Sequence, residues 1–275
     1  MKYLLATRFD KKIDQGSSTK PWVVFAIERN DEFIQSPQPY VVKLFSKKNV
    51  IQQPCIAKEF ICNILAKEFD LITPDSGIIN LHDKKFAKTL NRTNRNELFS
   101  KHQGLTFASK LHDGFIVNPN IMVTEDYEMM ARIYSFDCLV LNLDRGGQRN
   151  KPNLMICGED FMLIDHELTF SFIDYNNKDT LDIILDNLNK LNFLHQFKSH
   201  LFYKNLINYK GDKENIFNTF IEYLKHININ KINKVVEELR SNNISIKESH
   251  YLIEYLNAVK KDSEKFRLIL IKSIL

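Results

Sequence analysis

The sequence has four cysteines in 275 residues, and no two of them form a C-x-x-C pair. Structural zinc sites are usually built from such pairs, so a zinc-stabilised fold is set aside. The scatter of Cys55, Cys62, Cys138 and Cys157 suits free thiols in a reducing cytoplasm. No stretch approaches the ~18 consecutive apolar residues of a membrane span. The opening MKYLLATRFDKK has an apolar run too short for a signal peptide. We therefore expect a cytoplasmic protein with no membrane partner. A concentrated basic stripe is also missing. The 38 basic and 34 acidic residues leave a net charge of +4 spread along the chain, and pairs such as Lys47-Lys48 and Lys84-Lys85 are too short to bind a polyanion. Direct nucleic-acid binding is not expected. There is no G-x-S-x-G elbow to support hydrolase chemistry. His112, His166 and His195 share no metal-ligand spacing and are read as structural. Neither an internal repeat nor a flexible linker divides the chain.

What is present is apolar area. Hydrophobic residues make up 44% and charged residues 26%, and 20 Phe and 10 Tyr supply the large surfaces that a folded core needs. Trp22 to Glu28 and Tyr40 to Phe45 are β-branched and aromatic and read as an antiparallel strand pair joined by a long polar loop. From Pro54 to Phe69 the period becomes helical, with Ile56, Phe60, Ile64 and Leu65 on one face. Gly77 to Leu81 reads as a strand, His82 to Lys101 as an exposed polar excursion, and Gly104 to Val117 as a crossing segment. Met129 to Leu143 is a helix. Asn153 to Cys157 and Phe161 to Ile164, separated by Gly158-Glu159-Asp160, carry a hairpin signal. Helical periods recur in Leu181 to Leu194, Ile216 to Lys225, Ile232 to Leu239 and Lys247 to Val259. A strand-rich first third and a helical remainder imply an α+β protein in two lobes.

The sharpest chemical feature spans Asn142-Leu143-Asp144-Arg145 to Met162-Leu163-Ile164-Asp165-His166. One Asp ends a helix, a polar loop brings an Asn to a strand, and a hairpin returns a second Asp. Three oxygen-bearing side chains at one mouth suit Mg²⁺, and one carboxylate remains free to accept a proton. The competing interpretation is a turn built from Asp, Asn and Gly, which are common turn formers. Upstream, Lys43 follows Tyr40-Val41-Val42, and a lysine among apolar neighbours needs a partner for its ammonium. Glu59 and Glu68 on the next helix are candidates, and Glu59 is the better placed. An outward-facing Lys43 on an edge strand is the alternative. Gly16-Ser17-Ser18-Thr19-Lys20-Pro21 offers backbone N–H groups and hydroxyls for a phosphate. That loop matches neither G-x-G-x-x-G nor the P-loop pattern, and a plain surface turn is the other interpretation.

The order Gly/Ser loop, YVVK, helix Glu, N-x-D-R, PNLM and LIDHE resembles the HipA-like kinases, in particular their shorter bacterial relatives with a single kinase-like domain. The resemblance runs from about Gly16 to Phe170. It implies an α+β, two-lobed kinase-like fold in one domain over residues 1–275. The strand-rich N-lobe would reach to about residue 108 and the mainly helical C-lobe would run from about residue 109. It implies ATP and Mg²⁺ as cofactors, a protein Ser/Thr substrate, and a toxin or regulatory role with an antitoxin or regulatory partner. By the same resemblance Asp144 is the catalytic base, and Lys43 binds ATP phosphates and is oriented by Glu59. Gly16, Ser17, Ser18 and Thr19 cover phosphate, and the segment containing Phe107 lies near the hinge that meets adenine. Asp165 binds metal. The family's metal Asn falls five residues after the Asp, where this sequence has Arg149. Asn153 is favoured for that task by strand register, with Asn150 second. Gly146 stands where a His is frequent. The D-R loop also resembles that of lipid kinases, so a lipid or small-molecule kinase stays open, as does a non-catalytic nucleotide-binding module.

Overall fold

The computed structural model describes residues 1–13, 20–29, 36–101, 104–118, 126–146, 151–175, 180–191, 195–244, 246 and 248–275. Strands β1 (Lys2–Lys12), β2 (Trp22–Glu28), β3 (Gln38–Val42), β4 (Ser76–Asn80) and β5 (Leu105–Lys110) close into a barrel in the order β1-β2-β3-β5-β4. Trp22, Val24 and Ala26 of β2 and Tyr40 and Val42 of β3 join Leu4, Ile79 and Ala108 in one core, while Val23 is buried as well. Closure comes from β1, which runs parallel to β4. At that seam a Cβ on Gly77 would lie 2.9 Å from both the Leu4 side chain and the Lys2 carbonyl oxygen, so glycine permits the approach. The sequence pattern does not mark β1 as a strand. It is mostly exposed, and register shifts at Ala6/Arg8 and Phe9/Lys11 break its alternation.

Two further expectations are corrected. The strand expected from Tyr40 to Phe45 ends at Val42, which leaves Lys43 just beyond it. The stretch from His82 to Lys101 is two helices, α3 (Lys84–Thr89) and α4 (Arg92–Lys101). Asp83 caps the first through Lys85 and Phe86, Asn91 accepts from Asn94 at the start of the second, and Phe86, Leu90 and Leu98 join the barrel core. A few apolar side chains at helical spacing suffice to seat an otherwise polar segment.

After the short helix α1 (Lys47–Gln52), α2 (Cys55–Glu68) is buried on nearly all sides because it lies between the barrel and the helical part. Phe60 meets Phe107 of β5 edge-on at 4.8 Å, while Phe69, just past the helix, stacks on Phe220 at 4.5 Å. A second sheet, β6 (Phe115–Ile116), β7 (Leu154–Cys157) and β8 (Asp160–Leu163), is antiparallel, with the expected hairpin between β7 and β8. The buried helix α5 (Tyr127–Val140) ends at Leu141, which takes a left-handed conformation at φ 56°. The chain then leaves the helix before Asn142. The remainder is helical: α6 (Leu181–Asn189), α7 (Tyr203–Asn208), α8 (Asn218–His226), α9 (Ile229–Ser241), α10 (Ser249–Lys261) and α11 (Ser263–Ile274). All four cysteines are free. Among the described residues no helix is long and apolar enough to cross a membrane.

Candidate active site

Lys43 leaves β3 with its carbonyl oxygen accepting from the Thr106 hydroxyl of β5 at 3.3 Å. Its ammonium reaches three carboxylates: Glu59 Oε1 at 3.2 Å, Asp165 Oδ1 at 2.5 Å and Glu167 Oε2 at 3.1 Å. Glu59 and Asp165 are placed by different local devices. Glu59 sits on the buried helix α2, and its second oxygen accepts the main-chain N–H of His166 at 3.0 Å. Leu163 of β8 donates to the carbonyl of Ile72, so the chain leaving α2 runs beside the strand that leads to Asp165. Asp165 takes a left-handed backbone (φ 62°), a conformation that Asp tolerates better than most side chains. With Asp165 and Glu167 turned to Lys43, the intervening His166 is buried.

One ammonium cannot neutralise three carboxylates. Burial alone would lower the Lys43 pKa, but Asp165, Glu59 and Glu167 outweigh it and hold the ammonium well above the ordinary lysine range. Burial would raise Glu59, yet Lys43 and the His166 hydrogen bond pull it down to about 2. Glu167 is raised: burial is the largest cause, Lys43 pulls the other way, and repulsion from Asp165 and Glu59 adds to burial so that the net direction is upward. Glu59, Asp165 and Glu167 each bring one oxygen within 4.8 Å of the others. Hard carboxylate oxygens carrying excess negative charge are the donor set that Mg²⁺ accepts.

Asp144 lies on the loop after α5. Its main-chain N–H donates to Asn142 Oδ1 at 3.2 Å, and its Oδ2 accepts from Asn153 Nδ2 at 3.0 Å. Asn153 precedes β7 with φ 46°, and its carbonyl accepts from the N–H of Ile164 at 3.2 Å, one residue before Asp165. The hairpin thus links the Asp144–Asn153 pair to the Lys43 cluster. Beside Asp144, the Arg145 guanidinium is fully buried and bonds Asp137 and the Asn153 carbonyl. Gly146 has φ 90°, and a Cβ there would lie 2.5 Å from the Leu201 nitrogen. This backbone contact accounts for glycine in place of a larger residue.

Of the residues singled out from sequence, Lys43, Glu59 and Asp165 meet directly, and Asp144 meets Asn153. Glu68 is elsewhere, accepting from Lys231 Nζ at 2.5 Å. Phe107 lies in mid-β5 with its ring against Phe60. Gly16, Ser17, Ser18, Thr19 and Asn150 fall outside the described residues. Sequence reasoning missed Glu167, the Glu of LIDHE: it lies beyond β8, after the left-handed Asp165, so no strand alternation marks it. It also missed Asp137 and His200, which carry no local motif. A family model described as HipA-like kinase matches residues 11–223, a span that contains the Lys43 cluster, Asp144, Asn153, Asp137 and His200. No curated protein matches the sequence. Among solved structures, the crystal structure of a Helicobacter pylori proinflammatory kinase, CtkA, aligns over 98% of each chain at 11% identity and a TM-score of 0.48.

Proposed function

This chain belongs to the HipA-like kinase family, and from that premise we propose that it transfers phosphate from ATP, with Mg²⁺, to a protein Ser or Thr hydroxyl. The observation that carries the proposal is the Lys43–Glu59–Asp165–Glu167 cluster beside the Asp144–Asn153 pair. ATP phosphates are anionic, and they would approach carboxylates whose charge exceeds that of Lys43. Such a site needs an added cation, which is a physical argument for metal dependence. Bound there, Mg²⁺ would offset charge on the phosphate oxygens.

The chain's own groups divide the remaining work. Asp165, with Asn153 or Asn150, would hold the metal, and Glu167 is close enough to share that task. Lys43 contacts phosphate oxygens while Glu59 fixes its direction. Asp144 accepts and orients the attacking hydroxyl, and Asn153, whose side-chain amide donates to it, holds the Asp144 carboxylate in place. By the family resemblance, Gly16, Ser17, Ser18 and Thr19 would cover phosphate and the segment around Phe107 would meet adenine. In this account the chain is one domain. The barrel with its α3–α4 cap forms an N-lobe to about residue 108, and the rest forms a helical C-lobe. The protein acts in the cytoplasm, and a toxin or regulatory role with a regulatory partner follows from the family premise.

Thermal unfolding with ATP, with Mg²⁺ and with both tests the binding half of the proposal. The midpoint should rise most with both together, since a ligand that binds only the native state stabilises it by mass action. No shift at millimolar ATP with Mg²⁺ contradicts it.

A further inference from the structure

A buried polar group lies beneath the Asp144 loop. Asp137, in the last turn of α5, is fully buried and accepts Asn142 Nδ2 at 2.9 Å, His200 Nε2 at 2.9 Å and Arg145 Nε. His200 lies 63 residues downstream, between the 3₁₀ turn His195–Ser199 and α7. Its tautomer follows from its partners. The main-chain N–H of Phe202 donates to His200 Nδ1 at 3.1 Å, and an N–H cannot accept, so Nδ1 carries no proton. The ring proton sits on Nε2 and points at Asp137.

Both carboxylate oxygens of Asp137 are thereby engaged, and two of its three partners hold groups of the site. Asn142 presents Oδ1 to the Asp144 N–H. Arg145 holds the Asn153 carbonyl and lies 3.5 Å from His166 Nε2. The segment that carries His200 also grips the loop directly, with Leu201 N–H donating to the Arg145 carbonyl at 3.1 Å and Gly146 lying against the Leu201 backbone.

We propose that Asp137 and His200 are positioning residues for phosphoryl transfer: by fixing Arg145 and Asn142 they set where Asp144 and Asn153 stand. The proposal rests on the phosphotransferase reading above. A small offset of a reacting group lowers turnover more than it lowers ATP binding, because ATP contacts depend on Lys43 and Asp165.

The test compares His200→Ala, which deletes both hydrogen bonds, with His200→Gln, whose amide nitrogen can stand in for Nε2. His200→Asn, whose amide reaches only the Nδ1 position, replaces the alanine variant if that one fails to fold. Two readouts are taken: kcat at saturating Mg²⁺ and ATP, and the Asn153 side-chain amide resonance in ¹⁵N-labelled protein without ligand. His200→Ala should lower kcat by up to about 100-fold with KM for ATP little changed, and should move the Asn153 resonance. His200→Gln should recover most of both. If the resonance stays in place in His200→Ala, or if kcat falls only in step with the folded fraction, the positioning role is overturned. If wild type transfers no phosphate while the resonance still moves and recovers, the placement stands and the phosphotransferase reading fails.

Discussion

Lys43 was legible because an ammonium among apolar neighbours demands a partner, and Asp144 and Asp165 because a loop and a hairpin deliver carboxylates to one edge. Asp137 and His200 were not, since their meeting depends on how the segment after residue 195 folds under α5, and no local spacing records it. Gly146 belongs with them, for its need arises only from the Leu201 backbone. Gly146→Ala should destabilise by about 1–3 kcal/mol, through left-handed strain plus that contact, as read by urea denaturation. An unchanged midpoint would mean the loop stands off from Leu201. In the proposed reaction, Asp165→Asn should abolish the Mg²⁺-dependent part of the ATP-induced thermal shift, and Lys43→Ala should weaken ATP binding and turnover together. Acid stability offers a further check. Burial would raise Asp137, but Arg145 and His200 hold it at about 2 against an ordinary 3.8. A carboxyl with a lowered folded pKa stabilises the fold above its unfolded value, and that support is lost as pH falls from 3.8 toward 2. Asp137→Asn should therefore flatten the fall in stability across this window, which acid titration of unfolding free energy measures. A slope equal to wild type would mean that Asp137 is not held low.

Among the elements, β2, α2, α5 and the β7–β8 hairpin were readable because each carries a β-branched and aromatic run, a clean period or a clear turn. Strand β1 and helices α3 and α4 were not, since their burial rests on a few side chains amid polar ones. Helix α2 carries a second ion pair next to the first. Lys58, almost wholly buried, bonds Asp174, which retains 23% exposure, and the N–H of Tyr175 donates to the Gln52 carbonyl at 2.7 Å. This ties the helix that bears Glu59 to the chain beyond Glu167. The two halves of the pair are unequal. Removing Asp174 strands a buried ammonium, while removing Lys58 leaves a carboxylate that water can reach. Asp174→Asn should thus cost about 3–5 kcal/mol and Lys58→Met clearly less, measured by denaturant unfolding of each variant. The reverse order would show that Asp174 is the more deeply desolvated partner.

Among the described residues the buried apolar side chains form two clusters, one inside the barrel with α3 and α4, the other joining α2 to the helical part. Lys43 comes from the barrel and Glu59, Asp165 and Glu167 from beyond it, so the cluster of charges bridges the two. An α+β organisation with strands first was plain in the composition of the chain; a closed barrel was not, because closure depends on Gly77 and the irregular β1. In the proposed reaction this bridged cluster, with Asp144, performs phosphoryl transfer. The most direct measurement is label transfer from [γ-³²P]ATP with Mg²⁺, comparing wild type with Asp144→Asn in the presence of acceptor proteins. Wild type should label a Ser or Thr acceptor. Asp144→Asn should lose about 10²- to 10⁴-fold in rate while keeping its ATP- and Mg²⁺-induced thermal shift. Near-normal transfer by Asp144→Asn would contradict the account, as would wild type that binds ATP with Mg²⁺ and labels nothing.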